Sequence, residues 1–181
     1  IAAACACLPM ALLQFHGDET PEACLQAGRP FLRAARIPLE ESWAPTLSAS
    51  RDTLPPAGGA PFDLVKYAQA FKAAQAILLD AHVDGFGGGG KTFNWSLLPP
   101  SVNAHLVLSG GLTPANVTDG ILQVRPRCKT LAVDVSSGVE ISSGGATLKG
   151  IKSAEKIHQF VAAVRAADDL LAKNHVHLPA T

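Results

Sequence analysis

Ala76 to Trp95 reads AILLDAHVDGFGGGGKTFNW. Ile77, Leu78 and Leu79 form a short apolar strand that ends on a single carboxylate, Asp80. A glycine loop follows, with four consecutive glycines from Gly87 to Gly90 and then Lys91. In parallel α/β folds ligands sit outside the carboxyl ends of the strands, so an acid placed there beside a backbone-rich loop marks a candidate site. Asp80 has two readings. It caps a loop or pairs with a lysine, or it serves as a general acid or base; its place at the end of an apolar strand favours the second.

The same stretch carries a phosphate-loop pattern, G-x-x-x-x-G-K-[ST], from Gly85 to Thr92. A true nucleotide loop opens a long helix whose N-terminus faces the phosphates. Here FNWSLLPPS follows Thr92, which leaves room for about one helical turn. The nucleotide reading is therefore rejected.

Outward from this stretch, strands and helices alternate. Leu12 to Phe15 reads as a strand ending in His16-Gly17-Asp18-Glu19. Thr20-Pro21-Glu22 is a helix start, with threonine as N-cap, proline in the first turn and an acid behind it. Phe31 to Ala35 is the next strand. Pro38 to Pro61 is rich in Pro, Ser, Ala and Gly, lacks a period, and reads as a surface insertion, residues 38–61. Asp63 or Phe62 opens a helix to about Ala73, with Leu64, Tyr67, Ala68 and Phe71 on one face. After the organising strand, Asn94 to Leu98 allows one turn, and His105 to Ser109 is a strand closing on Gly110-Gly111. Thr113-Pro114 repeats the helix-start signal. Leu131 to Val135 is a strand running into Ser136-Ser137-Gly138, and Ile141 to Gly150 reads as a Gly/Ser loop. The last helix, about Ser153 to Ala172, places Ile157, Phe160, Val161 and Val164 on one stripe, and residues 173–181 read as a frayed tail.

Five short apolar strands alternating with amphipathic helices predict a parallel sheet covered by helices. Each polar or glycine-rich cluster follows a strand, so all fall on one rim, the layout of a (β/α) barrel. Gly110-Gly111 and Ser136-Ser137-Gly138 follow the last two strands of this series, where barrels often bind phosphate through backbone N–H groups and hydroxyls. The plain alternative is a pair of tight turns. His16 is read as a packed histidine or a ligand contact, and Asp134 as a rim contact or a buried structural acid. Arg33 or Arg36 suits an anionic substrate group or plain surface.

With 181 residues, the chain is long enough for one domain with a real core. Apolar residues at 48% and charged residues at 17% exclude disorder. Fifteen basic and fifteen acidic side chains cancel, so no net field draws nucleic acid or an anionic membrane, and an anionic ligand must be held locally. Cys5, Cys7, Cys24 and Cys128 fit neither a disulfide framework nor a zinc site and read as buried, reduced thiols of a cytoplasmic protein. The histidines are scattered without metal-ligand spacing. The chain opens on Ile1 rather than Met, which reads as a fragment or a processed product; its apolar start reads as a helix end followed by a strand, since no basic residue precedes it. No apolar run is long enough to span a bilayer.

Taken together, several segments resemble phosphoribosylanthranilate isomerase, a (β/α)8 TIM-barrel enzyme of tryptophan biosynthesis. They are Gln14 to Glu19, Leu78 to Ala81, Gly87 to Trp95, Leu108 to Leu112 with Pro114 and Asn116, and Val133 to Glu140. The matches keep the family's order and spacing from about Ala11 to Ala167. The resemblance implies an Amadori rearrangement of N-(5-phosphoribosyl)anthranilate to the 1-deoxyribulose phosphate ketose, without cofactor or metal. It implies that Asp80 is the general acid that opens the sugar ring. It implies that Gly110, Gly111, Ser136, Ser137 and Gly138 bind phosphate, and that His16 and Asp134 contact the substrate.

The departures are specific. The family's general-base cysteine lies in a lysine–isoleucine–cysteine–glycine segment at the end of the first strand, and no such segment occurs here. The arginine that grips the anthranilate carboxylate is also missing, and Gly89 stands where relatives usually carry serine or threonine. By alignment the chain starts just before the fourth strand. The expectation is thus a single, N-terminally incomplete domain over residues 1–181, a truncated barrel of about five strands equivalent to the fourth to eighth. Alone it would be inactive, monomeric or homodimeric, and open to pairing at its sheet edges. Two other functions were weighed. One is a different phosphosugar barrel enzyme; the other is a non-catalytic phosphate-binding module on Gly85 to Thr92.

Overall fold

The computed structural model describes residues 2–8, 10–37, 62–81, 92–143 and 146–176. The surface insertion expected over 38–61, the glycine loop with Lys91, and residues 177–181 lie outside the described residues.

The chain begins with α1 (Ala2–Cys7), then β1 (Leu13–Phe15) and α2 (Pro21–Gln26). Thr20 caps α2 as its sequence predicts: its hydroxyl accepts from Ala23 N at 3.2 Å, satisfying an N–H that the helix leaves unpaired. Next come β2 (Phe31–Ile37), α3 (Leu64–Ala70) and β3 (Ala76–Ala81). Asp63 caps α3 through two N–H bonds, from Val65 and Lys66, both at 3.0 Å. A 3-10 turn over Trp95–Leu97 leads to β4 (Val102–Leu108), α4 (Val117–Val124) and β5 (Cys128–Val133).

The strands β1 to β5 form one sheet in sequence order, and every neighbouring pair is parallel. β1 and β5 are its edges. Because side chains alternate across a strand, one face carries Phe15, Phe31, Ala35, Ile37, Ile77, Leu79, Leu106 and Leu108. These join Cys24, Leu64, Ala68, Val117, Ile121 and Val124 from the helices in a single buried core. The other face carries Gln14, Ala34, Leu78, Asp80 and Val107, and it supports the site.

Three expectations are corrected here. Ile141 to Gly150 is not a loop. It belongs to an antiparallel hairpin of β6 (Glu140–Ser143) and β7 (Ala146–Lys152), a separate two-stranded sheet beside the five parallel strands expected from the sequence. The last helix, α5 (Ala154–Val176), extends through residues 173–176 of the expected frayed tail. Its buried stripe keeps Phe160 and Val164 of those expected but not Ile157 and Val161. Phe160 and Ala167 are buried, with Ala163, Val164 and Leu171 packed beside them, whereas Ile157 and Val161 are both 41% exposed. The true stripe follows the i, i+3, i+4, i+7, i+11 rhythm from Phe160.

Two further readings were too simple. The signal at Thr113-Pro114 starts a turn, and α4 begins only at Val117. Asn116 builds that turn: its Oδ1 accepts from Thr113 N at 2.8 Å and its Nδ2 donates to Gly111 O at 3.0 Å. The thiols are free, but Cys7 is exposed and Cys128 only half-buried.

Arg33 is neither a surface residue nor a substrate contact. It is 5% exposed on the helix-facing side of β2. Its guanidinium lies 4.9 Å from the Phe71 ring centroid, and it donates to Glu19 Oε2 at 3.0 Å and to Gly17 O at 2.8 Å. A guanidinium suits this position because one planar fork can stack on an aromatic ring while bonding at its edge. The result ties the loop after β1 to α3. Beside it, the Tyr67 hydroxyl donates to Ala34 O at 2.7 Å, and burial pushes its pKa up to about 12.

Candidate active site

The sheet rim formed by the strand C-termini surrounds an open hollow of about 770 Å3. That is within the usual range for a small-molecule site, roughly 300–1,000 Å3. All eight residues singled out from the sequence line it: His16, Asp80, Gly110, Gly111, Asp134, Ser136, Ser137 and Gly138. They come from four strand ends, brought together by the parallel order of β1, β3, β4 and β5.

Asp80 is the next-to-last residue of β3, and its side chain is 22% exposed. His16, just past β1, is 44% exposed and places Nε2 at 3.2 Å from Asp80 Oδ2. Across the site, Gly110 turns away from β4 with a φ of 77°, and Gly111 follows at 64°. A Cβ on Gly110 would stand 2.7 Å from Ala81 N and 3.0 Å from Asp80 Oδ1. The backbone of this turn therefore packs directly on the acid, which only glycine permits. Arg36 pairs in register with Asp80 and donates to His16 O at 2.9 Å, so it braces the loop that carries the histidine.

Asp134 follows β5 and is held on two sides. Its N–H donates to Leu108 O at 2.9 Å, and its Oδ2 accepts from Ser109 Oγ at 3.0 Å. This links the ends of β4 and β5. Ser136 to Gly138 then curls into a 3-10 turn, Ser137–Val139, that lies against the Leu112 backbone. The two glycine and serine loops are thus in contact, with their polar backbone turned toward one space.

Sequence reasoning missed the residues that hold this second loop. Lys152 Nζ donates to Ser136 O at 2.9 Å, to Ser136 Oγ at 3.2 Å and to Glu140 Oε1 at 3.0 Å. Glu140, 5% exposed, also accepts from Gly150 N at 2.9 Å, and its own carbonyl accepts from Lys156 Nζ at 2.7 Å. With 141–150 read as a loop, Lys152 had no strand partner to point at; the register Glu140↔Lys152 supplies one. Gln14, Thr147 and Lys149 also line the hollow and were given no role.

The Lys152 hydrogen bond, assisted by the Gly150 amide and opposed by burial, holds Glu140 below its ordinary value of 4.5. A carboxyl depressed in the folded state adds stability that is complete above the unfolded value and is lost as pH falls through the folded one. Glu140→Gln should therefore lower the urea midpoint near neutral pH. The gap from the unsubstituted protein should narrow steadily below pH 4.5. Urea melts at stepped pH check this, and a gap that persists unchanged in strong acid would exclude the ion pair as its source.

No cysteine lines the hollow. Burial pushes the thiols of Cys24 and Cys128 up, away from the reactive thiolate form. Among the described residues no group of three or more His, Cys, Asp or Glu is placed to hold a metal ion. No helix among them is long and apolar enough to cross a membrane.

The family model for N-(5'-phosphoribosyl)anthranilate isomerase matches residues 57–163, which contain Asp80, Asp134 and both glycine and serine loops. The chain belongs to that isomerase family. The N-(5'-phosphoribosyl)anthranilate isomerase of Methylibium petroleiphilum is 51% identical over 97% of this chain and 68% of its own length. The phosphoribosylanthranilate isomerase structure from Thermotoga maritima superposes with a TM-score of 0.59 at 27% identity, covering 91% of this chain and 66% of that one. A further isomerase structure, solved in complex with reduced 1-(o-carboxyphenylamino)-1-deoxyribulose 5-phosphate, gives a TM-score of 0.56 at 27% identity over 91% of this chain and 64% of that one. The chain spans about two thirds of the length of each of these isomerases. Membership of the isomerase family favours neither of the alternative functions weighed above.

Proposed function

We propose that this chain carries the acid and the phosphate-binding half of an aminoaldose–ketose isomerase site. The reaction is the Amadori rearrangement of N-(5-phosphoribosyl)anthranilate in tryptophan biosynthesis. The carrying observation is the convergence of Asp80 and two backbone-rich loops on one hollow, in a chain of this family. On this reading the five parallel strands correspond to the fourth to eighth of an eight-stranded barrel, and residues 1–181 form one domain.

The phosphate of the substrate sits against Gly110, Gly111, Ser136, Ser137 and Gly138, where N–H groups and hydroxyls offer hydrogen bonds without needing a net charge. Fixing that end sets the ribose ring over the rim. Asp80, beside His16, protonates the ring oxygen and releases the open-chain imine. Loss of the C2′ proton gives the enolamine, which becomes the ketone. His16 and Asp134 contact the sugar. Among the described residues that line the hollow none is a cysteine, the residue type the family uses as base for the C2′ step. The chain by itself thus binds the ligand far better than it turns it over. A base removed from such a site costs roughly 10²–10⁴ in rate.

Calorimetric titration of the chain with reduced 1-(o-carboxyphenylamino)-1-deoxyribulose 5-phosphate tests the reading. Saturable binding is expected, well ahead of simple sugar phosphates. Equal affinity for a panel of unrelated phosphosugars, or no binding at all, would sink it.

A further inference from the structure

We propose that Lys149 is the cation that meets the phosphate monoester in this hollow, a role that rests on the function proposed above. Among the described residues that line the hollow there are three carboxylates, Asp80, Asp134 and Glu140, and one lysine or arginine, Lys149. A phosphate monoester brings about −1.5 to −2 charges at neutral pH. Backbone N–H groups can bond its oxygens, but they do not balance Asp80 and Asp134 nearby, and Lys152 is already paired with Glu140.

The neighbouring lysines are already committed. Lys152 holds Ser136 and Glu140, and Lys156 holds the Glu140 carbonyl and Ser142 Oγ at 3.0 Å. Lys149 is exposed, and its charge acts on Glu140 from a distance, without a hydrogen bond or salt bridge to a described residue. It stands two residues beyond Thr147, which also lines the hollow, so one face of β7 is turned toward the site. The strand is held in that attitude by the Glu140↔Lys152 register and by Gly150 N on Glu140. A lysine suits the task because its ammonium acts as a point charge on a long stem and reaches a phosphate without a fixed geometry.

The test is a titration of the isotope-labelled chain with inorganic phosphate, followed by NMR on the amide signals of Gly110, Gly111, Ser137 and Gly138. Lys149→Met should weaken binding about five- to tenfold, the usual reach of one partly exposed charge-assisted contact. Lys149→Arg should stay within about twofold of the unsubstituted chain. Lys129→Met, which removes an equal charge near the start of β5, controls for net charge and should leave the affinity unchanged. Shifts at those amides with an unaltered affinity in Lys149→Met would overturn the role of Lys149 alone. If phosphate leaves those amides unmoved in the unsubstituted chain, the role of Lys149 and the phosphate reading of the loops both fall.

Discussion

Asp80→Asn should, on the function proposed above, lower kcat for the aminoaldose-to-ketose conversion by about 10²–10⁴, the usual worth of a positioned proton donor. The amide matches the carboxyl in shape, so β3 and the Gly110 turn packed on it should be undisturbed. Gly110 approaches Oδ1 closely enough that a bulkier replacement would confuse loss of acid with loss of fold. An amide cannot deliver a proton to a departing ring oxygen, and its contact with His16 becomes a neutral hydrogen bond where a charged pair was available. Affinity for the reduced ketose phosphate should change little, because the loops proposed to hold its phosphate follow β4 and β5. Steady-state kinetics and calorimetry on the same preparation separate the two effects. A fall in kcat of less than tenfold would remove Asp80 from the acid role.

Gly138→Ala is expected to be the most damaging small substitution in the site. A Cβ at Gly138 would overlap the Leu112 carbonyl oxygen and stand 2.8 Å from Leu112 C, with Thr113 Cα at 3.2 Å. These are backbone atoms at the junction of the two glycine and serine loops, so no side chain can swing aside. One loop must move bodily, and forced packing of this kind costs about 1–3 kcal/mol. Gly28→Ala is the useful comparison. Gly28 has a φ of 63° but nothing within 4 Å of its added Cβ, so it bears only a conformational penalty of about 1–2 kcal/mol. Gly138→Ala should in addition reduce affinity for the ketose phosphate by at least about tenfold, since the displaced backbone carries the N–H groups proposed above to meet the phosphate. Chemical denaturation of both variants with ligand titration checks this. An alanine at 138 that keeps ligand affinity would show that the loops do not act as one surface.

The ease of reading the rim and the difficulty of reading the hairpin have separate physical causes. Asp80 stands next to last in an apolar strand and Gly110, Ser136 and their neighbours just past theirs, and parallel order alone delivers them to one side. The direction of Arg33 was not legible, because the middle of β2 is buried on both faces. Without alternation in the burial, nothing in FLRAARI tells which arginine faces the helices. The hairpin was hidden by composition. Ser, Gly and Thr dominate its turn, and its buried partner Glu140 is a residue type ordinarily left in water. The stripe on α5 failed for a related reason: its packing on α4 and the core rests on Phe160 and on small residues such as Ala163 and Ala167, which carry little apolar weight beside Ile157 and Val161.

The β6–β7 hairpin leaves and returns to the molecule at nearly one point. Glu140 and Lys152 are paired across its base, and Ser153 N donates to Val139 O at 2.8 Å just below. A segment closed at its stem in this way keeps its base fixed whatever the length of its far end. Residues near the stem, Lys149 and Gly150 among them, stay committed to the site and to Glu140. Past the Ser142↔Thr147 pair the ribbon is therefore a natural graft point, where a reporter peptide could be spliced at the mouth of the site while the sheet beneath keeps its register.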